Sequence, residues 1–194
     1  ISTNASVKNI IVEDSVAKGV ILDNDSKIMS NKVISNLNPK LLFTNLINHD
    51  DVDKEYLRKI LNYKCGSGTF RMNVALSELP NFNCLPGKEI SEHHKSGIII
   101  APTLTYMDEA FTDAKKHGWS KNPIVEMLIP STVDQSLAPE GKHVASLFCQ
   151  QFAPKLPMNK SWHDEKTNAA ETIIDTVNKY APNFKKSIIG SSIL

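Results

Sequence analysis

The chain has 194 residues, of which 41% are apolar, with 22 basic and 21 acidic residues and a formal net charge of +1. This apolar content supports a core for one domain or slightly more and excludes a disordered chain. The balanced charge lacks the concentrated basic face on which nucleic-acid binding depends, so nucleic acid is excluded as the expected partner.

Three widely spaced cysteines, Cys65, Cys84 and Cys149, are an odd number and are typical of a reducing compartment. We interpret all three as free thiols, which favours a cytoplasmic location. No apolar run reaches the length of about 18 residues that indicates a membrane-spanning helix, so we expect a soluble protein. The chain begins at Ile1 without Met and ends in an apolar stretch, 187–194, with nothing after it to pack against, which favours a piece of a longer protein.

The first 37 residues contain three short strand patterns. They cover Val7 to Glu13, Lys18 to Leu22 and Lys27 to Ser35, and turn residues at Asp14-Ser15 and Asp23-Asn24-Asp25 separate them. This order predicts a three-stranded antiparallel meander. Because a small meander buries little surface by itself, we expect it to be part of a larger sheet or domain.

The pattern changes to helical spacing after residue 37. Asn38 is a good N-cap and Pro39 suits the first helical position, so we predict a helix start and a domain boundary here. A second helix is predicted from about Asp53 to Tyr63, and Gly66-Ser67-Gly68 is expected to end it.

Residues 69–76 show the clearest period of two in the sequence. This period predicts a strand with one buried face. The apolar residues on that face are Phe70, Met72, Val74 and Leu76. The opposite face carries Arg71 and Asn73, two candidate substrate-binding side chains that either point into a ligand cavity or simply face water.

The rest of the chain alternates short apolar strands with helices. A strand is predicted at 97–101, a helix from the capping pattern Thr105-x-x-Asp108, strands at 124–129 and 144–148, and a helix from Ser161. The residues of the first of these helices that we expect to point inward are Met107, Ala110, Phe111 and Ala114. The order predicts an α+β fold, in which helices cover one face of a largely antiparallel or mixed sheet.

The connector 130–144 joins the two apolar strands and contains the residue types of a hydrolase triad. Ser131, Asp134 and His143 lie within it, but no G-x-S-x-G turn is present to expose the serine. Ser131 and Asp134 can instead bond the local backbone, and Gly141 tolerates a positive φ, so we expect a loop of fixed shape.

Other candidate sites are sparse. Glu126 interrupts an apolar strand and is either an acid/base group with a raised pKa, if buried, or a carboxylate bonded to a neighbouring loop. Cys84 with His93-His94 lacks the closely spaced ligand pairs of structural zinc, so we expect no metal. No G-x-G-x-x-G or G-x-x-x-x-G-K-[ST] loop occurs, so the main anchor of any cofactor is expected elsewhere.

Taken together, several stretches resemble the phytoene dehydrogenase-like FAD-dependent oxidoreductases, and the resemblance covers nearly the whole chain. The most specific stretches are Tyr106 … Ala110-Phe111 … Asp113-Ala114 … Gly118 and Ile129-Pro130-Ser131 … Asp134 … Leu137-Ala138-Pro139 … Gly141 … His143-Val144. The flanking stretches are Val7 … Ile10 … Gly19-Val20 … Val33-Ile34-Ser35-Asn36 … Pro39 and Tyr180-Ala181-Pro182 … Phe184 … Ile188 … Gly190.

The resemblance implies a two-domain flavoprotein in which hydride passes from a lipophilic substrate to FAD. Residues 1–37 would then be a meander of the FAD-binding domain, and 38–194 the substrate-binding domain. Val7, Ser35 and Asn36 are the cofactor-binding residues that the resemblance implies. It leaves the catalytic residues unknown.

The alternative is a non-catalytic binding or interaction module that keeps the flavoprotein architecture. In both interpretations we expect this segment alone to be inactive and to self-associate through an exposed domain interface. Peripheral contact with a membrane stays open.

Overall fold

The computed structural model describes residues 1–66 and 68–194. The chain divides into two compact units, Ile1–Cys65 and Gly66–Leu194. The first contains a three-stranded sheet and the second a five-stranded sheet, each combined with helices, so the predicted α+β class is confirmed. The predicted break at Gly66-Ser67-Gly68 includes Ser67, which lies outside the described residues.

The first unit begins with the predicted meander. Strands β1 (Val7–Glu13), β2 (Val16–Leu22) and β3 (Lys27–Met29) pair antiparallel in that order. The turn between β1 and β2 has positive φ angles of 51° at Asp14 and 62° at Ser15. Two consecutive positive φ angles match the twist of adjoining strands, which is why Asp is favoured there.

The third strand is shorter than predicted. Its pairing stops at Met29, whereas the sequence pattern extended it to Ser35. The Ser30 hydroxyl donates to the Lys32 carbonyl at 2.8 Å and accepts from the Lys32 amide at 3.3 Å. Such local side-chain bonds compete with the ladder, so the chain turns away at this point.

Short helical segments complete the first unit. They are α1 (Pro39–Leu41), a π-helical turn (Leu42–Leu46), a 3₁₀ turn (His49–Asp51) and α2 (Lys54–Leu61). The predicted N-cap at Asn38 is confirmed, since its side chain accepts from the Lys40 amide at 2.9 Å. Asp53, where the second helix was predicted to begin, caps α2 by accepting from the Tyr56 amide at 2.8 Å. The π-helical turn packs on β1, so the sequence-based boundary at 37/38 falls inside this compact unit.

The second unit is built on an antiparallel sheet. Its strands are β4 (Gly68–Leu76), β5 (Ile98–Ile100), β6 (Trp119–Leu128), β7 (His143–Phe152) and β8 (Ile188–Ile193). Their order in the sheet is β5-β6-β7-β4-β8. The apolar stretch at the end of the chain forms β8, which the sequence pattern did not predict and which pairs with β4 from Met72↔Ile193 to Leu76↔Ile188.

Three helices accompany this sheet. They are α3 (Leu104–His117), α4 (Trp162–Tyr180) and α5 (Phe184–Ser187), and short 3₁₀ turns occur at Glu92–Lys95, Pro130–Thr132 and Gln135–Leu137. The N-cap of α3 is Thr103, whose hydroxyl accepts from the Tyr106 amide at 3.0 Å, and not the predicted Thr105. Gly118 ends α3 at a φ of 99°, as expected of a helix-terminating glycine. Of the helices in the described ranges, none is long and apolar enough to cross a bilayer.

The core of the second unit lies between one face of the sheet and α4. The predicted alternation in β4 is confirmed, since Phe70, Met72, Val74 and Leu76 are all buried. Leu147 and Cys149 of β7 lie on the same face, in register with Met72 and Phe70. The face of α4 that packs here carries Ala169, Ala170, Ile173 and Val177. We call this side of the sheet the covered face.

Helix α3 buries less than its pattern predicted. Ala110 and Ala114 are buried, whereas Met107 and Phe111 are each 43% exposed. Two alanines let the helix approach β6 and β7 closely, so the larger side chains remain at its rim. There the Lys115 ammonium lies 4.4 Å from the centre of the Phe111 ring.

Candidate functional site

The side of the five-stranded sheet opposite the covered face carries the strongest candidate site. Successive side chains of a strand point to opposite faces, so Arg71 lies away from its buried neighbours Phe70 and Met72. The strand register places Glu126 of β6 opposite Phe148 of β7, and Phe148 opposite Arg71 of β4. We call this side the uncovered face.

The two charged groups of this row are each bonded to a neutral side chain. An Arg71 Nη2 donates to the Ser146 hydroxyl at 3.2 Å, and the Gln150 amide donates to the Glu126 carboxylate at 2.7 Å. Ser146 and Gln150 lie on opposite sides of Phe148 along β7, so the two charged side chains point in diverging directions.

An open cavity of about 270 Å³ lies on the uncovered face. Its polar lining includes Arg71, Ser146 and Glu126, and its apolar lining includes Phe148, Leu128 and Ile99. Leu128 is 54% exposed and Ile99 65% exposed, so a ligand here would meet accessible apolar surface. The arrangement can bind and orient an apolar molecule that carries a polar group.

The structure separates the two predicted substrate-binding residues. Arg71 lines the cavity, whereas Asn73 lies one row further along β4, half-buried between Ser146 and Ser192 of the neighbouring strands. Arg71 therefore remains a candidate for ligand contact, and a ligand would have to extend beyond the cavity to reach Asn73.

Four of the six cavity residues named above were not singled out from the sequence. The apolar stretch 144–148 was interpreted as a buried strand, which concealed that Ser146 and Phe148 belong to the accessible side of β7. The signal that could have found them is the polar alternation of Ser146 with Gln150 across a strand that continues to Phe152. Leu128 and Ile99 also lie in stretches whose apolar pattern predicts buried strands, although both side chains are exposed.

Glu126 bonds a side chain of the adjacent strand, whereas its sequence context predicted either a buried acid/base group or a carboxylate bonded to a neighbouring loop. The strand β6 lies between β5 and β7, so its carboxylate meets a side chain of the adjacent strand and not a neighbouring loop. On the opposite face, burial and then the nearby Glu126 charge raise the pKa of the Cys149 thiol. This thiol therefore stays protonated, while the free thiols Cys65 and Cys84 are exposed.

The connector between β6 and β7 has the fixed shape that its sequence predicts. The Ser131 hydroxyl accepts from the Val144 amide at 3.0 Å, which joins the two ends of the connector. Asp134 accepts from the Ser136 amide at 2.9 Å, and Gly141 has a φ of 70°. These bonds give Ser131 and Asp134 structural roles.

The residue types of a hydrolase triad are not assembled as one. Ser131 Oγ lies 3.5 Å from Nδ1 of His143, but the Asp134 carboxylate is bonded to Ser136. Burial, and then the nearby His94, lower the pKa of His143. Asp134 therefore does not orient the His143 imidazole as the carboxylate of a catalytic triad does.

His94, one of the two histidines considered together with Cys84, also has a structural explanation. His94 is buried; its Nδ1 accepts from the Ser91 amide at 3.1 Å, and its Nε2 donates to the Pro80 carbonyl at 3.0 Å. Within residues 1–66 and 68–194, no three His, Cys, Asp or Glu side chains are grouped so that they could hold a metal ion.

The residues predicted to contact a cofactor lie in the first unit. Val7 begins β1, and Ser35 and Asn36 lie in the irregular segment after β3, all three exposed. The Ser35 hydroxyl accepts from the Leu37 amide at 3.2 Å. Exposed hydroxyl and amide groups on such a segment fit contacts to a polar part of a nucleotide, and their assignment to the cofactor stays a prediction.

Comparison with known proteins gives relatives whose sequences match most of the chain. No protein-family model matches the chain. It is 33% identical to pyridine nucleotide-disulfide oxidoreductase domain-containing protein 2 of Rattus norvegicus, over 100% of this chain and 36% of that protein. The protein of the same name from Mus musculus is 33% identical over 92% of this chain and 32% of its own length. The homologues are oxidoreductase domain proteins.

A more distant relative is the chloroplastic prolycopene isomerase of Daucus carota, 25% identical over 97% of this chain and 28% of that protein. The chain thus spans about a third of the length of the curated relatives that it matches. These relatives support an oxidoreductase family of the flavoprotein type. The phytoene dehydrogenase-like group is a finer assignment that they leave open.

Two solved structures share the fold. An oxidoreductase from Methanosarcina mazei matches with a TM-score of 0.59 and 18% identity, over 96% of this chain and 36% of that one. A protein from Pyrococcus furiosus matches with a TM-score of 0.52 and 17% identity, over 98% of this chain and 36% of that one. At this identity the likeness concerns the fold alone.

Proposed function

We propose that this chain forms the substrate-facing part of an FAD-dependent oxidoreductase, similar to phytoene dehydrogenase, that transfers hydride from a lipophilic substrate to the flavin. The observation that carries the proposal is the 33% identity to an oxidoreductase domain protein along 100% of the chain. The uncovered face supplies the second support, because it offers accessible apolar side chains around a cavity in place of a nucleophile with an oriented base.

In this proposal the flavin, when bound, accepts the hydride, and the chain contributes binding and orientation. Phe148, Leu128 and Ile99 contact the apolar body of the substrate and keep water from that side of it. Arg71 fixes the orientation of its polar group. Val7, Ser35 and Asn36 would contribute contacts to the FAD from the first unit, while its main anchor would be formed by other parts of the protein.

The test is flavin reduction in the complete protein. We expect it to purify with bound flavin, and we expect a lipophilic substrate to bleach the flavin absorbance when oxygen is absent. Phe148→Ala should lower kcat/KM about 10-fold while flavin content is unchanged, because it removes an interaction with the substrate only. Val144→Ala is the matched control, since Val144 lies on the same face and outside the cavity.

Two results would change the conclusion. A complete protein that takes up no flavin when FAD is supplied would contradict the proposal. Bound flavin that no candidate substrate or electron donor reduces would favour a non-catalytic binding module with the same architecture.

A further inference from the structure

The choice of arginine at position 71 is unusual for this chain. Only two of its 22 basic residues are arginines, Arg58 and Arg71, and the others are lysines. An exposed strand position needs only a charge for solubility, which lysine provides. Arginine differs in its rigid planar fork of donors, which matches the two oxygens of a carboxylate.

Most donors of Arg71 have no partner in the described part of the chain. Its guanidinium carries five N–H donors, and the bond to Ser146 uses one of them. None of the ion pairs among residues 1–66 and 68–194 includes Arg71. Among the residues that the structure describes, the guanidinium therefore lines the cavity with donors that have no partner and a charge that no carboxylate pairs with.

The surroundings of Arg71 restrict the ligand that it can bind. Phe148, Leu128 and Ile99 give the cavity an accessible apolar side, which suits a hydrocarbon. Glu126 lies two strands away, about 10 Å between backbones at the usual spacing of strands. Its charge opposes a doubly charged phosphate more strongly than a singly charged carboxylate.

We propose that Arg71 binds the carboxylate of an elongated apolar molecule, whose hydrocarbon lies over Phe148 towards Leu128 and Ile99. The side-chain hydrogen bonds of Arg71 and Glu126, which point in opposite directions along β7, fit this arrangement. Ser146 holds the guanidinium on one side of Phe148, and Gln150 holds the Glu126 carboxylate on the other. The inference rests on the proposed function only in treating the uncovered face as the substrate surface.

Calorimetric titration of the 194-residue chain with dodecanoate and with dodecanamide tests the inference. The two probes share a hydrocarbon chain and differ in charge. Arg71→Gln should weaken dodecanoate binding about 10-fold or more, because a charge-assisted bond is lost, and should leave dodecanamide within about 2-fold. Arg58→Gln on α2, in the other compact unit, is the matched control and should change neither.

Two further variants keep the test decisive if Arg71→Gln fails to fold. Arg71→Lys keeps the charge without the fork and should give an intermediate affinity for dodecanoate. Glu126→Gln removes the opposing charge and should strengthen dodecanoate binding a few-fold. Failure of the unsubstituted chain to bind dodecanoate, equal binding of both probes, or an equal loss in Arg58→Gln would each overturn the inference.

This test is separate from that of the proposed function, since it requires no flavin. Dodecanoate binding that depends on Arg71, in a protein whose flavin is never reduced, would support the inference and contradict the proposed function. Flavin reduction by a neutral lipophilic substrate, without dodecanoate binding, would support the proposed function and contradict the inference about Arg71.

Discussion

The two faces of the five-stranded sheet are made by alternate residues of the same strands, yet they differ in nearly every property. On the covered face, Met72 and Leu147 have no exposed surface. On the uncovered face, Leu128 and Ile99 keep more than half of theirs. Helix α4 packs on the covered face. Around the cavity on the other face, the two charged side chains bond neutral partners and the apolar side chains stay exposed.

The residues that stabilise the fold are therefore different from the residues that are available to bind a ligand. Residues of the covered face lose apolar surface on folding and are expected to determine the free energy of unfolding. The exposed residues of the uncovered face contribute little to it, so their identities are free to serve a ligand. Arg71 and Glu126 illustrate this freedom, because each is held by a neutral partner and neither compensates the other's charge.

Leucines on opposite faces give the most direct comparison and the largest expected effect. Leu147→Ala should lower the free energy of unfolding by about 3 to 5 kcal/mol, because it leaves a cavity in the core. Leu128→Ala should lower it by less than about 1 kcal/mol, because the Leu128 side chain is 54% exposed. Urea unfolding measures both, and equal losses would mean that the uncovered face is packed against something in solution.

The sequence predicted the covered face better than the uncovered one. The alternation of Phe70 to Leu76 lies within nine consecutive residues, so a local pattern was sufficient to identify it. Strand β8 was missed because its partner β4 lies more than a hundred residues earlier in the chain. The rim positions of Met107 and Phe111 were missed because helical spacing alone does not say which residues of an apolar stripe touch a sheet.

The candidate site depends on the pairing register of β4, β7 and β6, which could not be predicted from the sequence. Arg71 could be selected from β4 alone. Its proximity to Ser146 and Phe148 follows from the pairing of β4 with β7, and the position of Glu126 follows from the pairing of β6 with β7. These alignments are fixed by long-range packing, so the cavity could not be assembled from local patterns.

The start of α4 provides a smaller test of how the covered face is maintained. The Ser161 hydroxyl accepts from the Asp164 amide at 3.2 Å and donates to its carboxylate at 2.6 Å. Ser161→Ala should lower the free energy of unfolding by about 1 kcal/mol, because it removes the N-cap of the covering helix. Ser192→Ala on the exposed edge of β8 is the control, with an expected change within about 0.5 kcal/mol. A larger loss at Ser192 than at Ser161 would contradict the contrast between the faces.

The smallest expected effect concerns His143, which stands opposite Leu76 at the end of the covered face. Its pKa is lowered below the ordinary value of 6.5 by burial first and by the nearby His94 second. The unfolded chain therefore takes up a proton at a higher pH than the folded chain does, and the free energy of unfolding should fall as pH decreases through 6.5 towards the lower folded pKa. In urea titrations at pH values on both sides of this window, His143→Gln should make the decrease shallower. Gln135→Ala in the same connector carries no titrating group and should keep the slope. An unchanged slope in His143→Gln would show that this end of the covered face is open to water.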